Sequence, residues 1–115
     1  MKTQIEILEN LKLFISIEFG RDAQDIRYNS MIERDLGIYG DDAYELIVGF
    51  GKYFNVDVSN FQIDKYFSPE GSLFPILLNR LFKLKKYDLT IKNLIDAVKY
   101  KKLDEEIIKM SNAKL

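Results

Sequence analysis

The chain has 115 residues, 47% of them apolar, and a net charge of −1, which suits one domain with one core and leaves no room for a second. It contains neither cysteine nor histidine, which excludes disulfides, thiolate chemistry, cysteine-ligated metals and the usual general base near neutral pH. No apolar run approaches the length of a bilayer crossing, and charges interrupt the N-terminal stretch Met1 to Glu6, so a soluble, cytoplasmic protein without a signal peptide is expected.

Residues 4–18 form the first predicted helix. Ile5, Leu8, Leu11 and Ile15 recur at helical spacing, Ile7 and Phe14 widen the stripe, and Gly20 is a natural stop. Polar residues 21–30 read as a loop in which Ile26 and Tyr28 dip toward the core, and Met31, Ile32 and Leu36 lead into a turn at Gly37. A second helix follows, with Ala43, Leu46, Ile47, Phe50 and Phe54 as its apolar stripe. Asp41 or Asp42 is expected to cap it, and Asp42 with Glu45 three residues on has the form of a capping box. Gly49 and Gly51 inside this helix each cost about 1 kcal/mol relative to Ala, which points to another element packed closely on that face.

Residues 55–59 read as an extended connection, Phe61 to Phe67 as a turn or one-turn helix, and Ser68-Pro69-Glu70-Gly71 as a break. Leu73 to Phe82 is strongly apolar, and Pro75 suits the first turn of a helix running to Phe82. Thr90 is the expected N-cap of a further helix whose stripe is Ile91, Leu94, Ile95 and Val98. Residues 103–115 read as a short last helix with a frayed tail. The chain is therefore expected to be all-α.

The run Asp35-Leu36-Gly37-Ile38-Tyr39-Gly40-Asp41-Asp42-Ala43-Tyr44-Glu45-Leu46, with helices in this order around it, resembles the acyl-carrier-protein family over roughly residues 4–100. Within it, the run Leu36 to Ala43 is most similar to that of a group of uncharacterised bacterial carrier-like proteins. The resemblance implies a four-helix bundle, here with an inserted apolar segment at about 72–86 and a C-terminal helical extension, all in one domain spanning 1–115. It also implies an Asp-Ser-Leu following the turn, whose serine takes a phosphopantetheine arm. In this chain that serine position is Gly40, with Asp41 one residue along, and neither has a hydroxyl. The other serines (Ser16, Ser30, Ser59, Ser68, Ser72, Ser111) lie outside the motif, so no bound cofactor is expected.

What the resemblance leaves is docking. Carrier proteins present the acidic face of the motif helix to basic patches on partner enzymes, which here implies Tyr39, Asp41, Asp42, Tyr44 and Glu45 as partner-recognition residues. Tyrosines of this kind are enriched where binding energy concentrates. The bland reading of the same residues is helix capping and packing under the turn, and the two roles can coexist. The aspartates lack the alternating spacing of a calcium loop, so no metal is expected. Residues 1–70 carry seven Lys/Arg against thirteen Asp/Glu, and residues 71–115 ten against five. Such a split can steer partners or simply solvate different helices. The lysines Lys83, Lys85 and Lys86 read as a solvated helix end, with no nucleic-acid role.

The reading is thus a non-enzymatic, carrier-like binding module with a protein partner, no membrane, and a monomeric or weakly dimeric state. The alternatives are a carrier with a displaced attachment serine, a small enzyme using the Asp/Glu/Tyr cluster, and a regulatory or immunity-type protein acting through residues 72–86.

Overall fold

Thr3 starts the first helix, α1 (Gln4–Phe19), by accepting the Glu6 N–H at 3.2 Å on its hydroxyl. Gly20 ends it in the left-handed region at φ +66°, returning its N–H to the Ser16 carbonyl. The computed structural model describes residues 3–68 and 87–113. The expected insertion at 72–86, its helix from Pro75 to Phe82, the lysines at 83–86 and the last two residues lie outside them.

The buried stripe of α1 is Ile7, Leu11, Phe14 and Ile15, at the i, i+4, i+7, i+8 spacing of one helix face. Ile5, placed in that stripe by the sequence pattern, is 75% exposed, and Leu8 is only partly buried. A run with apolar residues at positions 5, 7, 8, 11, 13, 14, 15 and 17 permits more than one stripe, and packing chose the one centred on Leu11.

The connection after α1 contains one 3₁₀ turn, Ala23–Asp25, capped by the Asp22 side chain. As expected, Ile26 is buried and Tyr28 packs against the core. This loop then does something local patterns do not announce. Its carbonyls at Tyr28 and Ser30 accept the N–H groups of Lys92 and Ile91, satisfying donors that the first turn of a helix leaves open. Met31 and Thr90 form an antiparallel bridge beside these bonds.

The second helix, α2, is Gly40–Phe54 and buries Ala43, Leu46, Ile47 and Phe50. Asn55, at φ +57°, ends it. Both helix glycines are close-packed, as expected. A Cβ on Gly49 would lie 3.1 Å from the Phe14 ring, and one on Gly51 would lie 3.0 Å from the Val56 carbonyl oxygen. After a 3₁₀ turn, Ile63–Lys65, the described chain resumes at Tyr87, whose N–H donates to the Lys65 carbonyl.

The third helix, α3 (Ile91–Tyr100), begins at Thr90 as expected, and Thr90 and Asn93 form a reciprocal capping box. Lys101 ends it in the left-handed region at φ +62°. Asp57 exchanges backbone hydrogen bonds with Lys101 and Leu103, pinning the connection after α2 to the α3–α4 turn. The fourth helix, α4 (Glu105–Ala113), buries Ile107, Ile108 and Ser111 against α3, so what read as an extension is part of the core. Asn93, fully buried, donates from its amide to the Ser111 hydroxyl (3.0 Å) and the Asn112 side-chain oxygen (2.9 Å).

The described residues are all-helical, with four α-helices and no strand, compatible with a helical bundle. α1 packs on α3, α3 on α4, and α1 meets α2 through aromatic rings.

Candidate functional site

The turn that carries the motif is built by short-range hydrogen bonds. The Asp35 carboxylate accepts the Met31 N–H at 2.8 Å, while the N–H groups of Asp35, Leu36 and Gly37 return to Met31 and Glu33. Leu36 and Ile38 point inward and are buried. Gly37, at φ +69°, makes the left-handed step that a side chain would oppose. From outside, the guanidinium of Arg21 donates to the carbonyls of Phe19, Leu36 and Gly37, bonding the end of α1 to the turn. Each residue of Asp-Leu-Gly thus has a structural task here.

The helix start differs from the capping scheme expected of the aspartates. The N-cap residue is Tyr39, in extended conformation, and its side chain makes no cap hydrogen bond. Asp41 and Asp42 instead stand inside the first turn, where carboxylates interact favourably with the positive end of the helix dipole. The capping box of Asp42 and Glu45 is therefore not formed. The reason lies just before them, since the Tyr39 carbonyl already accepts the Ala43 N–H and the first turn closes from residue 39.

Gly40 itself has φ +60°. A residue with a Cβ at this conformation costs roughly 1–2 kcal/mol, so glycine is what the backbone asks for at this position. Its N–H donates to the carbonyl of Ser68 at 2.9 Å. Ser68 in turn donates both its N–H and its hydroxyl to the carboxylate of Glu33, each at 2.7 Å. A serine 28 positions along the chain is thus set beside the turn. The sequence put Ser68 outside the motif, and the fold brings its backbone to Gly40. The local signal, a Ser-Pro pair at a break, carried no hint of that pairing.

Tyr39, Asp41, Asp42, Tyr44 and Glu45 are brought together at the start of α2, all with exposed side chains; Tyr39 is 42% and Tyr44 63% exposed. Helical spacing puts Asp41 and Glu45 one turn apart at the centre of the outer face, opposite the buried Ala43, Leu46 and Phe50. Asp42 and Tyr44 flank them. The result is an acidic helix start with a tyrosine on either side. No group of three or more potential ligands capable of holding a metal occurs among the described residues. No helix among them is long and apolar enough to cross a membrane.

The shifted titratable groups sit elsewhere. Burial pushes the Tyr66 phenol above its ordinary range, with Glu105 and Tyr87 adding to the effect. The hydrogen bond from Lys65 holds the Glu105 carboxyl below its usual range. Asp57 is lowered chiefly by the Ser59 hydroxyl, and Lys102 is raised chiefly by its bond to Glu106. Each follows from a hydrogen-bonded or packed neighbour within the fold.

The family model described as "Protein of unknown function (DUF1493)" matches residues 4–103, which takes in the turn, the motif helix and α3. No curated protein and no solved structure matches. The chain belongs to the DUF1493 family.

Proposed function

We propose that this DUF1493 protein is a non-enzymatic, acyl-carrier-protein-like binding module that docks a protein partner through the start of α2 and carries no phosphopantetheine. The observation that supports this best is the pairing of a left-handed Gly40 at the attachment position with an exposed acidic, tyrosine-flanked helix start immediately after it. An exposed, rigidly supported set of carboxylates and aromatic rings suits recognition of a basic surface. The protein acts in the cytoplasm, as a monomer or weak dimer, without nucleic acid.

Intact-mass analysis after incubation with a phosphopantetheinyl transferase and coenzyme A tests the missing arm. The mass stays unchanged under this reading, and a phosphopantetheine increment would sink it. Charge reversal tests the docking: the double variant Asp41→Lys/Asp42→Lys retains its fold but loses at least tenfold in partner binding.

One observation favours a second reading, the carrier with a displaced attachment serine. Ser68 is bonded to Gly40, and its hydroxyl lies 2.7 Å from a carboxylate able to accept its proton. In the same mass experiment, an increment that disappears in Ser68→Ala would establish that reading in place of the first.

A further inference from the structure

Beside the helix start, a groove of about 370 Å³ runs between the second half of α1 and the middle of α2. Phe14 and Gly49 form its floor, Phe19 and Tyr53 its walls, and Glu18, Glu45 and Lys52 its rim. The floor is low because Gly49 has no Cβ, and the Phe14 ring lies where one would point. The walls are held by ring packing: Tyr53 lies 5.5 Å from Phe14 and 5.0 Å from Phe54, and Phe19 meets Phe14 edge-on at 6.2 Å. Tyr53 nevertheless remains 68% exposed, an aromatic face kept in place and left open to solvent.

We propose that this groove is a socket for an arginine side chain presented by the protein partner. This rests on the docking reading above and names the chemistry of what docks. Charge complementarity selects the occupant. Glu18 comes from one helix and Glu45 from the other, and neither makes an ion pair among the described residues. A cation entering between them meets two carboxylates against the single ammonium of Lys52, with Asp41 and Asp42 one turn further along the same edge of α2. The aromatic walls select arginine within that class. Its flat guanidinium stacks on a ring while its fork of N–H groups bonds carboxylates, and its three methylenes cover the Phe14 floor. Lysine offers no such plane. The groove is open along its length, whereas small-molecule sites enclose most of their ligand, so a side chain projecting from a protein surface is the fitting occupant.

The test is selection of a random displayed-peptide library on the folded full chain, followed by synthesis of the enriched peptides. These peptides carry an arginine beside an apolar residue and perturb the amide resonances of Glu18, Gly49, Lys52 and Tyr53. They lose at least tenfold in affinity when that arginine becomes citrulline, and likewise on Glu18→Lys and on Tyr53→Ala, whose cooperative thermal melts and parent-like amide spectra away from the groove show that the fold persists. Failure to enrich any peptide, binders indifferent to citrulline, or perturbations away from the groove would each overturn the socket. Binders whose perturbations are confined to Tyr39, Asp41, Asp42 and Tyr44 would remove the socket and leave the docking reading standing. Groove binding insensitive to Asp41→Lys/Asp42→Lys would do the reverse.

Discussion

The guanidinium of Arg21, just past the end of α1, donates to the Gly37 carbonyl at 3.1 Å and to that of Leu36. A charged donor satisfies three backbone acceptors at once, counting Phe19, so the position of the motif turn depends on a residue fourteen places before it. Hydrogen bonds to charged groups each contribute about 1.5–3 kcal/mol, and a half-exposed set falls short of additive. Arg21→Met is expected to cost about 2 kcal/mol in denaturant unfolding, and Arg21→Lys to recover only part, because an ammonium cannot reproduce the fork. Equal stability of Arg21→Met and the parent would show that the clamp contributes nothing.

Gly40→Ser places a Cβ on a backbone at φ +60°. The variant is expected to lose roughly 1–2 kcal/mol, and Gly40→Asn less, because asparagine tolerates the left-handed region better. Thermal melts of the two variants beside the parent give the ranking. A serine variant as stable as the parent would mean that the turn relaxes away from that conformation.

Glu33 and Ser68 form the contact that fixes the far side of the turn. A double-mutant cycle with Glu33→Gln and Ser68→Ala should give a coupling energy of about 1 kcal/mol, since both donors of Ser68 converge on one carboxylate. Additive effects would place the two residues outside each other's influence.

Asn93 is the buried polar centre of the α3–α4 pair. Its side-chain oxygen accepts the Thr90 N–H and its amide donates to Ser111 and Asn112. Asn93→Leu removes all three bonds and leaves the buried Ser111 hydroxyl without that partner, a loss of about 2–4 kcal/mol. Amide exchange in α4 should accelerate with it, and unchanged protection there would refute this role.

Two shifted groups set opposite limbs of the pH profile. Tyr66 has a folded pKa raised above its ordinary 10.0, so its contribution is complete below about pH 10 and is lost as pH rises through the folded value. Tyr66→Phe should therefore flatten the alkaline loss of stability. Glu105 has a folded pKa lowered from 4.5, so its contribution is complete above that value and fades as pH falls through the folded one. Lys65→Met, which removes the 2.9 Å partner, should flatten the acid limb. Chemical unfolding across pH reads both slopes.

Much of the helical frame was legible from local chemistry. Thr90 as a cap, Gly20 as a stop, and the stripes of α2 and α3 are decided within a few residues, where periodicity and capping act. The glycines at 49 and 51 also announced close packing, although which atoms fill the space was not visible. The cap of α2 misled, because the first turn already closes on the Tyr39 carbonyl, and the Ser68 carbonyl that receives the Gly40 N–H lies far along the chain. Of the candidate site, the five exposed residues were readable, whereas Arg21, Glu33 and Ser68 were not. Their bonds span from 15 to 35 residues, and no local pattern records them.

The sequence by itself determined a chain without histidine or cysteine, the helical character of the described residues, an acidic, tyrosine-flanked helix start and no hydroxyl at Gly40, because these follow from composition and short-range geometry. Only the tertiary structure decided that Gly40 is left-handed, that Ser68 adjoins it, and that Glu18 and Glu45 rim one aromatic groove. Such placements arise from side chains and backbone groups far apart in the chain satisfying one another's hydrogen bonds and packing once the helices have come together.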